Sequence, residues 1–162
     1  MKNKKHHTSR QAGKIQKADI VDKKSDRQWL YSEIVKDHFL KPRNILVEDE
    51  ENYKFDGKGT SGNPVCGDVM TVWIKVDPKT QKIKECKWRT YGCASAIAST
   101  SMMSVVLTEK GGMPLKQASK LTPHQIVKRL ACLPPLKFHC SILGLDALKQ
   151  AINGYLRSQG KS

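Results

Sequence analysis

No stretch of this sequence is apolar for the roughly 20 residues that a membrane-spanning helix needs. No internal repeat is present. The first apolar-rich residues follow a long polar lead, so no secretory leader is expected. Hydrophobic residues make up only 38% of the chain, below the usual globular share, so part of it is expected to lie outside any core. Five cysteines cannot close into disulfides without leaving one over, which argues against a secreted disulfide scaffold. A reducing cytoplasm fits best. The mitochondrial matrix fits less well, because Asp19, Asp22 and Asp26 break the acid-poor pattern of a mitochondrial presequence.

What is present is a strongly basic chain of 162 residues with a net charge of +14, enough for one domain with a modest core. Residues 1–28 carry nine Lys or Arg and three Asp. They have few apolar residues with which to bury a face, so this basic extension is expected to be flexible, with residues 29–162 forming the domain. Basic runs interleaved with aromatics are missing, as is any nucleic-acid motif. The charge therefore reads as a solvated surface, and neither nucleic acid nor membrane is expected as a partner.

Hydrophobic spacing gives a coarse plan. Trp29, Leu30, Ile34, Val35, His38 and Phe39 recur at helical spacing up to Pro42. Tyr53 and Phe55 alternate, which predicts a short strand ending in the Gly57–Gly62 region. The clearest strand runs from Asp68 to Asp77, with Met70, Val72, Ile74 and Val76 on one face. After the turn at Asp77-Pro78-Lys79-Thr80, an antiparallel strand is predicted over Lys82–Thr90. Helices follow: Cys93 to about Lys110, stopped by Gly111-Gly112; Thr122 to about Ala131, with Pro123 at its first position; and Ser141 to Arg157, striped by Leu145, Leu148, Ile152 and Tyr155. The expected fold is α+β: a small three-stranded antiparallel sheet covered by helices on one face, with an N-terminal helix.

The chemistry concentrates on three cysteines in turns marked by glycine or proline. They are Cys66 in Gly62-Asn63-Pro64-Val65-Cys66-Gly67-Asp68, Cys93 in Tyr91-Gly92-Cys93-Ala94-Ser95, and Cys140 in Leu133-Pro134-Pro135-Leu136-Lys137-Phe138-His139-Cys140-Ser141. Asp68 and His139 add a carboxylate and an imidazole. Cys93 and Cys140 precede predicted helices, whose N-terminal dipoles favour thiolate. Three thiolates with Asp or His make a four-ligand set that suits zinc or a two-iron, two-sulfide cluster. Cys86 and Cys132 lack such a setting and read as small buried hydrophobes. His38 and His124 read as ordinary helix histidines and Met102-Met103 as core, while His6 and His7 offer weak metal binding at most.

At these residues the sequence resembles the N-terminal domain family of the IscU and NifU iron-sulfur cluster assembly scaffolds, over about Tyr31 to Leu156. Four ordered blocks carry the likeness: Asp37-His38-Phe39-Leu40-Lys41-Pro42-Arg43-Asn44, the two glycine-marked cysteine turns, and Leu133 to Ser141. The resemblance implies a non-enzymatic scaffold that takes persulfide sulfur from a cysteine desulfurase, binds iron, and hands a transient 2Fe-2S cluster to apo-proteins. It makes Cys140 the sulfur acceptor and Cys66, Cys93, Cys140 and either His139 or Asp68 the ligands, with Asp68 keeping the cluster labile. Zinc fits the same pocket. Leu133, Pro134, Pro135, Leu136 and Lys137 resemble a chaperone-recognition motif in which Leu136 replaces the usual valine. The implied partners are a DnaK-type or HscA-type chaperone with its J-protein, a frataxin-like protein and a ferredoxin; homo-oligomerisation is left open. The SufU branch, with zinc-dependent sulfur carriers, is the alternative. His139 and the absence of a long insertion between Cys93 and Cys140 favour the IscU-like branch. A nucleic-acid-binding protein with a structural zinc and a cysteine hydrolase are further rivals; adjacent residues such as His139 and Cys140 rarely present base and nucleophile to each other.

Overall fold

The computed structural model describes residues 20–22, 27–29, 31–63, 67–131, 133 and 137–160. The chain divides into two compact units, Met1–Leu30 and Tyr31–Ser162. In the first unit, β1 (Ile20–Asp22) pairs antiparallel with β2 (Arg27–Trp29). Most of the basic 1–28 segment, including His6 and His7, lies outside the described residues.

The second unit begins with α1 (Glu33–Leu40). Trp29, whose spacing fits this helix, instead lies in β2. The reason is local: the Ser32 side chain accepts a hydrogen bond from the Val35 N–H and caps the helix there. Only Val35 and His38 of α1 are buried.

The sheet order is β3-β4-β5, antiparallel throughout: β3 (Gly57–Asn63), β4 (Asp68–Val76) and β5 (Ile83–Tyr91). The expected strand around Tyr53 and Phe55 is absent; a short 3-10 turn (Glu50–Asn52) precedes them, and the strand starts in the glycine region that was expected to end it. Close packing explains the glycines. A Cβ on Gly57 would sit 2.2 Å from the Ala151 carbonyl oxygen, and one on Gly59 would sit 2.0 Å from that of Ala147. β3 therefore lies almost in backbone contact with the last helix. On β4, Met70, Val72, Ile74 and Val76 are buried in the main core as the alternation requires, while Trp73 points the other way into a small cluster with Leu46 and Tyr53.

α2 (Ala94–Thr108) and α5 (Cys140–Ser158) cover the core face, with short α3 (Leu115–Ala118) and α4 (Pro123–Arg129) between them. Hydrophobic spacing gives no sign of α3. α2 is buried nearly all round by Ala, Ser, Thr and Met side chains. Some of its hydroxyls are satisfied within the helix, as in Thr100 Oγ1 to Ala96 O at 2.8 Å and Ser104 Oγ to Ser101 O at 2.7 Å. α2 ends at Thr108, earlier than expected, because Lys110 adopts a left-handed φ of 54°. α4 opens with the capping box of Thr122 and Gln125 and Pro123 at its start. On α5, Leu145, Leu148, Ile152 and Tyr155 are all buried.

His38, expected to be an ordinary helix histidine, is a buried tie to α2. Its Nδ1 lies 2.7 Å from Ser101 Oγ, which also accepts the Arg43 N–H at 2.9 Å. Burial holds the imidazole pKa down, and so does the nearby Arg43. Asn44, at φ 61°, turns the chain so that Ile45 can bridge to Trp88 at the edge of β5.

Candidate functional site

The β4 start, the α2 start and the α5 start meet at one end of the sheet. Asp68 is the first residue of β4, Cys93 is the residue that caps α2, and Cys140 is the first residue of α5. Among the described residues, Asp68, Cys93 and Cys140 each offer one ligand atom within 4.8 Å of the others. Cys93 Sγ lies 3.4 Å from Cys140 Sγ, and Cys140 Sγ lies 4.0 Å from Asp68 Oδ2. His139 Nε2 is 3.5 Å from Cys140 Sγ but does not join that mutual set. Cys66, Pro134, Pro135 and Leu136 lie outside the described residues; Leu133 is buried, and Lys137 is half-buried.

The two thiols titrate in opposite directions. The Cys93 thiol is pulled down to about 5, first by the hydrogen bond from Cys140; burial opposes this, and the N–H dipoles of Ala96 and Ser95 and the charge of Lys137 assist it. No side-chain capping hydrogen bond reaches α2 from Cys93, so the helix acts through its field. The Cys140 thiol is pushed well up by its donation to Cys93, by burial, and by the charges of Cys93 and Asp68. At Cys93 the N–H groups of α2 thus add to the drop, and at Cys140 the adjacent charges add to the rise. Cys86 is fully buried on β5, and its thiol is pushed up to about 12 by burial. It takes no part in the site, and Cys132 lies outside the described residues.

A carboxylate and two sulfurs at these separations can share one ion. The sulfurs suit zinc or iron, and the carboxylate oxygen is harder and more exchangeable. The pattern described as NifU-like N terminal domain matches residues 30–162. The chain belongs to the NifU-like N-terminal domain family. Relatives of this NifU-like domain include the iron-sulfur cluster assembly scaffold protein IscU of Aquifex aeolicus, 44% identical over 131 residues that cover 81% of this chain and 79% of that protein. The protein of the same description from Haemophilus influenzae is 45% identical over 130 residues, covering 80% of this chain and 98% of its own. The crystal structure of a nitrogen-fixing NifU-like protein (N-terminal) from Brucella abortus superposes with a TM-score of 0.56 at 16% identity, over 78% of this chain and 94% of that one, a likeness of fold alone.

Two further residues of the NifU-like domain stand near the site without any sequence signal for their place. Tyr31 Oη lies 2.9 Å from Ser95 Oγ, and Ser95 is fully buried in the first turn of α2. The phenol is held above its ordinary pKa by burial, with Cys93 and Cys140 adding to the rise and the Ser95 hydrogen bond and Lys137 opposing it. No local pattern announces a contact across 64 residues.

Proposed function

We propose that this NifU-like domain is a scaffold on which iron-sulfur clusters are assembled and from which they are released. The observation that carries the reading is the convergence of Asp68, Cys93 and Cys140, two sulfur donors and one oxygen donor from three separate chain turns. Iron and sulfur are cargo here, not resident cofactors. Cys66 completes a three-cysteine set, and Asp68 or His139 supplies the fourth ligand. Zinc fits the same donors when iron is absent.

Cys140 is the proposed sulfur acceptor. Its sulfur attacks the terminal sulfur of a desulfurase persulfide, the donor S–S bond breaks, and the donor cysteine leaves as thiolate. Cys140 attacks as the thiolate, so the proton it shares with Cys93 Sγ, 3.4 Å away, must leave the pair first. The transfer is electron-neutral; reducing the persulfide sulfur to sulfide takes two electrons, a role that fits a ferredoxin. Apo-proteins take the finished cluster. The site works only with free thiols, so the reading requires a reducing compartment. No described helix is long and apolar enough to cross a membrane.

Anaerobic incubation of the purified protein with ferrous iron, L-cysteine, a cysteine desulfurase and reduced ferredoxin or dithiothreitol as electron source tests the proposal. The expected result is visible sulfide-to-iron absorption with two irons and two sulfides bound per site. Tight zinc retention with sulfur acceptance but no cluster would instead select the zinc-dependent sulfur-carrier reading.

A further inference from the structure

Tyr31 and Ser32 are consecutive, yet their side chains reach two different arms of the site. Tyr31 Oη pairs with Ser95 Oγ at 2.9 Å, two residues beyond Cys93. Ser32 Oγ donates to the Leu130 carbonyl at 2.5 Å, at the end of α4, where the chain sets off toward His139 and Cys140. Ser32 also caps α1, so the pair is anchored to a helix of its own. α1 is in turn fixed to α2 by His38 and Ser101. Ser95 is fully buried, which excludes water as an equivalent partner for its hydroxyl.

We propose that Tyr31, anchored beside Ser32, forms a positioning clamp on the Cys93 turn at the start of α2, so that the Cys93 sulfur is presented beside that of Cys140 to one metal ion. Neither residue is a ligand. Tyr31 sets the α2 N-terminus through Ser95, and Ser32 fixes the neighbouring backbone to α1 and to the end of α4. The site's three described donors come from elements far apart in sequence, and the Cys93 turn lies where β5 gives way to α2. A partner beyond the ligands that orients them typically changes metal affinity by about 10–100-fold. The inference rests on the reading of Cys93 and Cys140 as metal ligands.

The test uses Co(II), whose thiolate charge-transfer absorption reports sulfur ligation directly, with the full-length metal-free protein. Tyr31→Phe removes only the hydroxyl and keeps the ring. It is expected to weaken Co(II) binding about 10-fold or more and to reduce the thiolate absorption at saturation. Ser95→Ala is expected to do the same, and the double variant is expected to be no worse than either single one, because both remove the same bond. Should Tyr31→Phe fail to fold, Ser95→Ala reads that bond on its own. Affinity and spectrum within twofold of wild type in both variants would overturn the clamp. If wild type itself takes up no Co(II), the metal reading fails, and the clamp is then decided by the iodoacetamide reaction at Cys93, read by peptide mass spectrometry. A change of threefold or more in Tyr31→Phe upholds it, and an unchanged rate overturns it.

Discussion

Cys93 Sγ and Cys140 Sγ lie 3.4 Å apart although 47 residues separate them in the chain. The hydrogen bond between them stabilises one thiolate, and two negative charges at that distance repel, so the pair gives up its first proton easily and keeps the second. α2 favours that charge on Cys93, whereas Cys140 faces Asp68; Lys137 favours charge on either sulfur.

A stability profile follows from that sharing. Above about pH 5, where Cys93 ionises in the folded protein, the folded pair holds one proton. The unfolded pair holds two until about pH 8.5. Stability from the pair therefore rises with pH across this window, then falls above it, where the folded pair retains a proton that the unfolded chain has lost. Urea denaturation of the metal-free protein should show this rise and fall relative to Cys93→Ser. A wild-type-minus-variant difference that is flat across the window would show that the two sulfurs do not share a proton.

Asp68→Ala should lengthen the life of a bound cluster, since the hard, exchangeable oxygen next to Cys140 is gone. Decay of the visible absorption after adding a chelator or an apo-acceptor measures it. A shorter life would make Asp68 a holding ligand and not a releasing one.

Cys140→Ser should abolish sulfur loading from a desulfurase, because the nucleophile is replaced by a hydroxyl. Mass spectrometry for a +32 Da adduct reads the outcome. Loading that persists would move the acceptor role to Cys93 or Cys66.

Gly59→Ala tests the packing of β3 on α5. The new Cβ would meet the Ala147 carbonyl oxygen, a backbone atom that cannot swing aside. A loss of about 1–3 kcal/mol is expected in urea denaturation, the usual cost of overpacking. Gly67→Ala serves as a contrast: no atom lies within 4 Å of its added Cβ, so any loss there comes from its φ of 72° alone.

Much of the fold could be read from the residues in order. The alternation from Met70 to Val76 marks β4, and the Leu145–Tyr155 stripe marks α5, because both patterns record which side meets the core. β3 could not be read that way. Gly57 and Gly59 have no side chains to alternate, and their reason for being there lies in a helix roughly 90 residues further on. Likewise Trp29 fits a helical period but lies in β2, and α1 starts only after the Ser32 cap. Asp68, Cys93 and Cys140 were legible as chemistry from their turns, and their mutual distances became legible only in three dimensions. Tyr31 was not legible, since a single hydroxyl-to-hydroxyl contact leaves no trace in periodicity.

The contact between Gly59 and Ala147 also acts as a fulcrum. Cys140 begins the same helix seven residues before Ala147, an arm of about 10 Å at the usual helical rise. A tilt of roughly 6° about that contact swings Cys140 by about 1 Å, a large fraction of its 3.4 Å gap to Cys93. The spacing of the two sulfurs is thus gauged at a place with no reactive group, where two glycines of a strand let a helix rest on its backbone.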